Sequence, residues 1–248
     1  MLNAFLFGLL ATSSLLIGGV IATRLNISRR ALGIIMAFGA GTLISAVSYE
    51  LIAESISVAR GSGYPAFGVI AGSLTFFFCD KLIGKLGTED PMKINSGGHS
   101  NLVIPMVLAI ILDGIPESIV IGLGMSEPGG KVSLAMLVAV FISNLPESIA
   151  GSTGMKANGW SRGKIQLLWL IITLVCAVST IAGYSLFAGA SAEWLGFIQA
   201  FAGGAILIML ANSMIPEAYE HGGKVAGIFT VAGFFLSVCM VILEKTME

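Results

Sequence analysis

The sequence predicts an all-α, polytopic membrane protein of eight spans, folded as a single transmembrane domain over residues 1–248. Composition is the first observation behind this. The chain is 56% hydrophobic and only 11% charged, with a mean hydropathy of +0.93, whereas soluble domains carry about 25% charged residues. Apolar run length is the second. Eight runs, near 2–23, 31–58, 65–87, 102–125, 132–155, 165–187, 194–220 and 224–244, each approach or exceed the ~20 residues a helix needs to cross a bilayer. Internal repetition is the third. Spans 4 and 5 share one motif and spans 2 and 7 another, and in each pair the two spans run in opposite directions. That is the pattern of an inverted repeat, with spans 1–3 set against spans 6–8 around central spans 4 and 5.

Span 1 has no basic region ahead of its apolar run, so it reads as a span and not as a cleaved leader. Span 2 contains AFGAGTLISAVSYELIAES, in which Glu50 and Glu54 are spaced to share a helix face. Its small residues Gly39, Gly41 and Ser45 allow another helix to come close. Span 3 ends at Asp80 and Lys81, read as a cap or ion pair. The polar, Gly-rich loop that follows carries His99, read as solvated. Span 6 has neither carboxylate nor histidine and reads as scaffold. Span 7 closes in EAYEHGGK, which gathers Glu217, Glu220 and His221.

Arg24, Arg29, Arg30, Lys81, Lys85, Lys93, Lys156, Arg162, Lys164 and Lys224 fall on one side of this topology. Arg60, Lys131 and Lys245 fall on the other. The excess marks the cytoplasmic face, so both termini are expected on the non-cytoplasmic side of an inner or plasma membrane. Cys79, Cys176 and Cys239 all lie within spans and read as small apolar fillers, not as a disulfide framework. No basic patch suggests nucleic acid. The bilayer is the expected surrounding.

The two repeats carry the chemistry. LDGIPESIVIGLGM in span 4 returns thirty residues later as ISNLPESIAGSTGM in span 5, so that Pro116, Glu117 and Ser118 match Pro146, Glu147 and Ser148. AFGAG in span 2 returns as AFAGG in span 7, and Ile52 and Glu54 match Ile215 and Glu217 in the same register. Asp113 and Glu117 fall at the depth of Ser143 and Glu147, near mid-membrane. Pro116 and Pro146 each remove a backbone donor, freeing the carbonyls of Leu112 and Ile142. Intramembrane carboxylates are costly and mark functional sites. No Lys or Arg lies within either span, so Asp113, Glu117 and Glu147 must be protonated or neutralised by something that binds. Oxygen-rich, thiolate-free sites suit hard or borderline divalent metals. Zinc prefers histidine or cysteine, and neither is present in these motifs.

Two other classes stay open at this point. One is a proton-coupled carrier or sensor whose carboxylates bind only protons. The other is an intramembrane hydrolase using Ser152 or Asp113, disfavoured because His99 and His221 both lie near membrane edges. An enzyme is not expected.

The motifs DGIPES and SNLPES, with IPEAYEHG at the end of span 7, resemble the ZIP (Zrt/Irt-like) family of divalent metal transporters. That resemblance implies eight spans with both termini outside, a homodimer, no cofactor, and a divalent cation as the transported substrate. Carried over by position, it implies Asp113, Glu117, Asn144 and Glu147 as metal ligands. Asp113 replaces the family's histidine, Gly114 its asparagine, and Ser143 a histidine or glutamine. In span 6, Thr180 stands where many members have a glutamate. With imidazole gone the site is harder, which favours Mn²⁺ or Fe²⁺ relative to Zn²⁺. Glu50, Glu54, Ser143, Glu217, Glu220 and His221 complete the expected pathway.

Overall fold

A computed structural model describes residues 1–85, 103–126 and 132–247. Every regular element among them is helical, and eight helices are long and apolar enough to cross a membrane. They are α1 (Leu2–Arg24), α2 (Arg29–Val58), α3 (Tyr64–Gly84), α4 (Val103–Ser126), α5 (Leu134–Ala157), α6 (Arg162–Leu186), α7 (Ala192–Gly222) and α8 (Val225–Met247). Their limits fall within a few residues of the expected spans. The loop carrying His99 lies outside the described residues.

Local chemistry sets the helix starts. Ser28, Ser133, Ser161 and Ser191 each precede a helix and accept from a backbone N–H three residues on, at 3.2, 3.1, 3.4 and 3.5 Å. Each satisfies one of the donors a helix start leaves open. Pro65 sits in the first turn of α3, where a missing N–H costs nothing.

Two helices are not α-helical throughout. α2 widens into a π-helix over Val47–Ala53, and α7 does the same over Leu210–Met214. The two segments begin at equivalent positions of the repeat.

Packing follows the repeat as well. Gly41 of α2 has no room for a Cβ against the Thr230 carbonyl of α8, and its mate Gly204 of α7 has none against the Val69 carbonyl of α3. Gly33 of α2 lies against Ala218 and Gly222 of α7, while Gly196 of α7 lies against Ser55 and Ala59 of α2, the same four positions exchanged. In the other half of the molecule, α1 packs on α5 through Gly18 and on α6 through Gly8. α4 packs on α6 through Gly122 and Gly183. Small residues at such crossings let backbones touch, which is how helices associate where lipid removes the hydrophobic drive.

Burial separates centre from rim. The apolar window of α5 is 72% buried and that of α2 67%, against 17% for α3 and 22% for α8. α4 lies between, at 56%. α5 is therefore the axis of the molecule, and α4 is its less enclosed mate.

Candidate metal site

α4 and α5 bring the expected central residues into the interior. Asp113 is 7% exposed, Glu117 and Asn144 1%, Glu147 2% and Ser143 fully buried. The helices run unbroken through Pro116 and Pro146. Beside Pro146, α2 comes close because position 39 is glycine. A Cβ there would lie 3.2 Å from Ser143 Cα and 3.4 Å from the Ile142 carbonyl oxygen, the one that Pro146 leaves without its helical partner.

The carboxyl groups face one another electrostatically. Asp113, Glu117 and Glu217 all act on Glu147, and Asp113 acts on Glu117. Among the described residues no Lys or Arg forms an ion pair with Asp113, Glu117 or Glu147. One oxygen of Glu117, one oxygen of Glu147 and the Asn144 amide nitrogen are buried with no hydrogen-bond partner among the described residues. Such orphans are costly, because burial removes water and nothing replaces it. As the side chains stand, no three His, Cys, Asp or Glu among the described residues enclose a metal ion.

The neighbouring hydroxyls serve the helices. Ser118 donates to the Gly114 carbonyl at 2.7 Å and its mate Ser148 to the Leu145 carbonyl at 2.9 Å. Ser152 accepts from the indole N–H of buried Trp169 at 2.7 Å, so it is a packing contact between α5 and α6.

At one end of the molecule, Glu217 is 4% exposed, and its carboxylate lies 3.6 Å from His221 Nε2. Glu220 is exposed. At the opposite end, Glu54 is exposed and Glu50 half-buried. Glu50 lies within electrostatic reach of Ser133 at the start of α5. Glu244 of α8 accepts from the Leu134 N–H and from Ser133 Oγ, so the last turns of α8 cap the first turn of α5.

Several of these neighbours escape a reading by span. Asp80 lies within electrostatic reach of Asp113, and Lys81 sits 5.9 Å from the centre of the Phe77 ring. Glu244 and Ser133 frame Glu50. α6, read as scaffold, places Cys176 beside Gly114. Each follows from the rotation of a helix about its own axis, which a run apolar on all sides does not announce.

Comparison with known proteins bears on the chain as a whole. The chain is similar to the zinc transporter GufA of Myxococcus xanthus, with 29% identity over 205 residues, which is 79% of this chain and 80% of that protein. That similarity agrees with the resemblance of the motifs to ZIP-family transporters. No family model matches the sequence. An eight-span, all-helical membrane architecture is what the ZIP resemblance implies, and among the described residues the structure has eight helices long and apolar enough for it.

Proposed function

We propose that the chain carries a divalent metal cation across a cell membrane through a site built from Asp113, Glu117 and Glu147, with Asn144 as a neutral oxygen donor. The observation that carries this reading is the set of orphaned buried atoms on Glu117, Asn144 and Glu147. Three carboxyl groups within mutual reach and without a basic partner are stabilised together by one cation. Turned about its last bond, the Asn144 amide presents an oxygen to the same point. A cation would draw these side chains inward by rotation about their own bonds. Support also comes from the relative, a zinc transporter.

The route extends along the repeat. Glu54 and Glu50 would offer carboxylates toward one mouth, with Ser143 lining the centre. Glu217 and His221 would take the ion on the other side, and Glu220 would lie at the exposed edge. Basic-residue bias places the Glu217 end in the cytoplasm and both termini outside. Asp113 in place of histidine makes the carboxylate set harder than an imidazole site.

Metal uptake into proteoliposomes, screened across Mn²⁺, Fe²⁺, Co²⁺, Zn²⁺ and Cd²⁺, tests the reading. Saturable uptake of at least one cation, lost in Glu117→Gln and Glu147→Gln, is expected. Proton flux with no metal flux would establish the carrier alternative instead.

A further inference from the structure

Cys176 stands in an unusual place for a filler residue. It lies on α6, is 1% exposed, and points at the first turn of the span 4 motif. Gly114 has no side chain, and a Cβ built there would be 3.0 Å from Cys176 Sγ. The sulfur thus borders the space that position 114 leaves open, one residue from Asp113. Ser118, whose hydroxyl donates to the Gly114 carbonyl, lies within electrostatic reach of the thiol. Glu117 and Glu147 both act electrostatically on the sulfur. Cys176 belongs to an apolar cluster with Ile110, Met155, Trp169 and Ile172. Each of the two carboxylates within its electrostatic reach has a buried oxygen that lacks a hydrogen-bond partner among the described residues.

We infer that Cys176 is a soft sulfur donor to the cation site of α4 and α5, biasing that site toward thiophilic cations such as Zn²⁺ and Cd²⁺ over Mn²⁺. The inference rests on the metal-transport reading above. A carboxylate set alone is hard, and a single thiolate changes its class, because sulfur ligands select zinc over oxygen-preferring ions. As the metal–sulfur bond forms, the S–H proton is released. Neither of the other two cysteines is so placed. Cys79 and Cys239 are half-buried on the rim helices α3 and α8.

The test uses full-length protein carrying Cys79→Ser and Cys239→Ser, purified in detergent, with Cd²⁺, Zn²⁺ and Mn²⁺ as probes. Equilibrium binding is read beside the near-ultraviolet absorbance of a cadmium–thiolate bond. A band saturating at the binding stoichiometry is expected. It should be lost in Cys176→Ser and Cys176→Ala, with the Cd²⁺-to-Mn²⁺ affinity ratio falling on the order of tenfold. Mn²⁺ binding retained in both variants shows that they are folded. Cd²⁺ that binds without the band, or with an unchanged ratio after Cys176→Ser, overturns the sulfur assignment and leaves the carboxylate site standing. If the parent binds none of the three cations, the metal reading itself fails, and the sulfur assignment fails with it.

Discussion

Glu54 and Glu217 are mates in the inverted repeat, yet the structure treats them oppositely. Glu54 is exposed on the last turn of α2. Glu217 is 4% exposed on α7, beside His221 and within electrostatic reach of Glu147. The repeat gives both ends the same carboxylate, and packing makes the ends unequal. Around Glu217, position 33 is glycine and admits His221 and Gly222 closely, so α2 closes over the end of α7. Around Glu54, no histidine follows one turn later, and α3 begins after a short turn that contains Arg60 with a φ of 51° and Gly61 with a φ of 75°. On the transport reading, the carboxylate at one mouth is buried toward the central site while its mate at the other mouth is exposed. That inequality is what an alternating-access carrier needs in any single state.

The comparison can be broken from its centre outward. Glu117→Gln and Glu147→Gln remove charges shared by both halves of the route. Uptake should fall by about a hundredfold or more in either variant, on the scale of losing a metal ligand, with the elution profile of the folded protein unchanged. Wild-type rates would remove the common centre, and the contrast between the ends would then concern packing alone.

Glu217→Gln sharpens the contrast. A buried carboxylate that meets the ion during passage acts on turnover, so the maximal rate should drop by about tenfold with a small change in KM. Kinetics in vesicles of known orientation check this. An effect confined to KM would make Glu217 an ordinary mouth charge, no different from its mate.

Asp113→His tests hardness in the same terms. Imidazole in place of carboxylate should shift the zinc-to-manganese uptake ratio toward zinc by about tenfold. A competition assay with both cations present reads the ratio directly. No shift would mean that Asp113 does not touch the ion.

The smallest effect belongs to Glu54. An exposed charge works on capture, so Glu54→Gln should raise KM by about two- to threefold at low salt and leave the maximal rate alone. Above about 0.15 M salt the difference should fade as the Debye length shortens. A salt-independent loss of maximal rate would place Glu54 inside the route and erase the distinction drawn here.

Much of this was legible from residues alone, for physical reasons. Span limits were legible because long apolar runs in a charge-poor chain leave few alternatives. Asp113, Glu117 and Glu147 were legible because buried carboxylates are rare enough to stand out. The repeat was legible because Gly41 and Gly204, or Glu54 and Glu217, keep register over the whole motif. The partners that face these residues were not. Whether Asp80 turns toward Asp113, or Cys176 toward Gly114, depends on helix rotation and crossing. Those are fixed by close approaches such as Gly122 on Thr180. Glu244 capping α5 was hidden because its acceptors and donors lie far apart in the chain. The π-helical turns were hidden too, since the same apolar residues serve either helix type.

Those turns also mark the repeat. The π-helix is rare and occurs mostly as single turns inside α-helices, frequently at functional sites. Here two such segments start at matching positions of α2 and α7, although their residues, Val47–Ala53 and Leu210–Met214, differ almost completely. The widened turn thus follows the register of the repeat and not the side chains that occupy it.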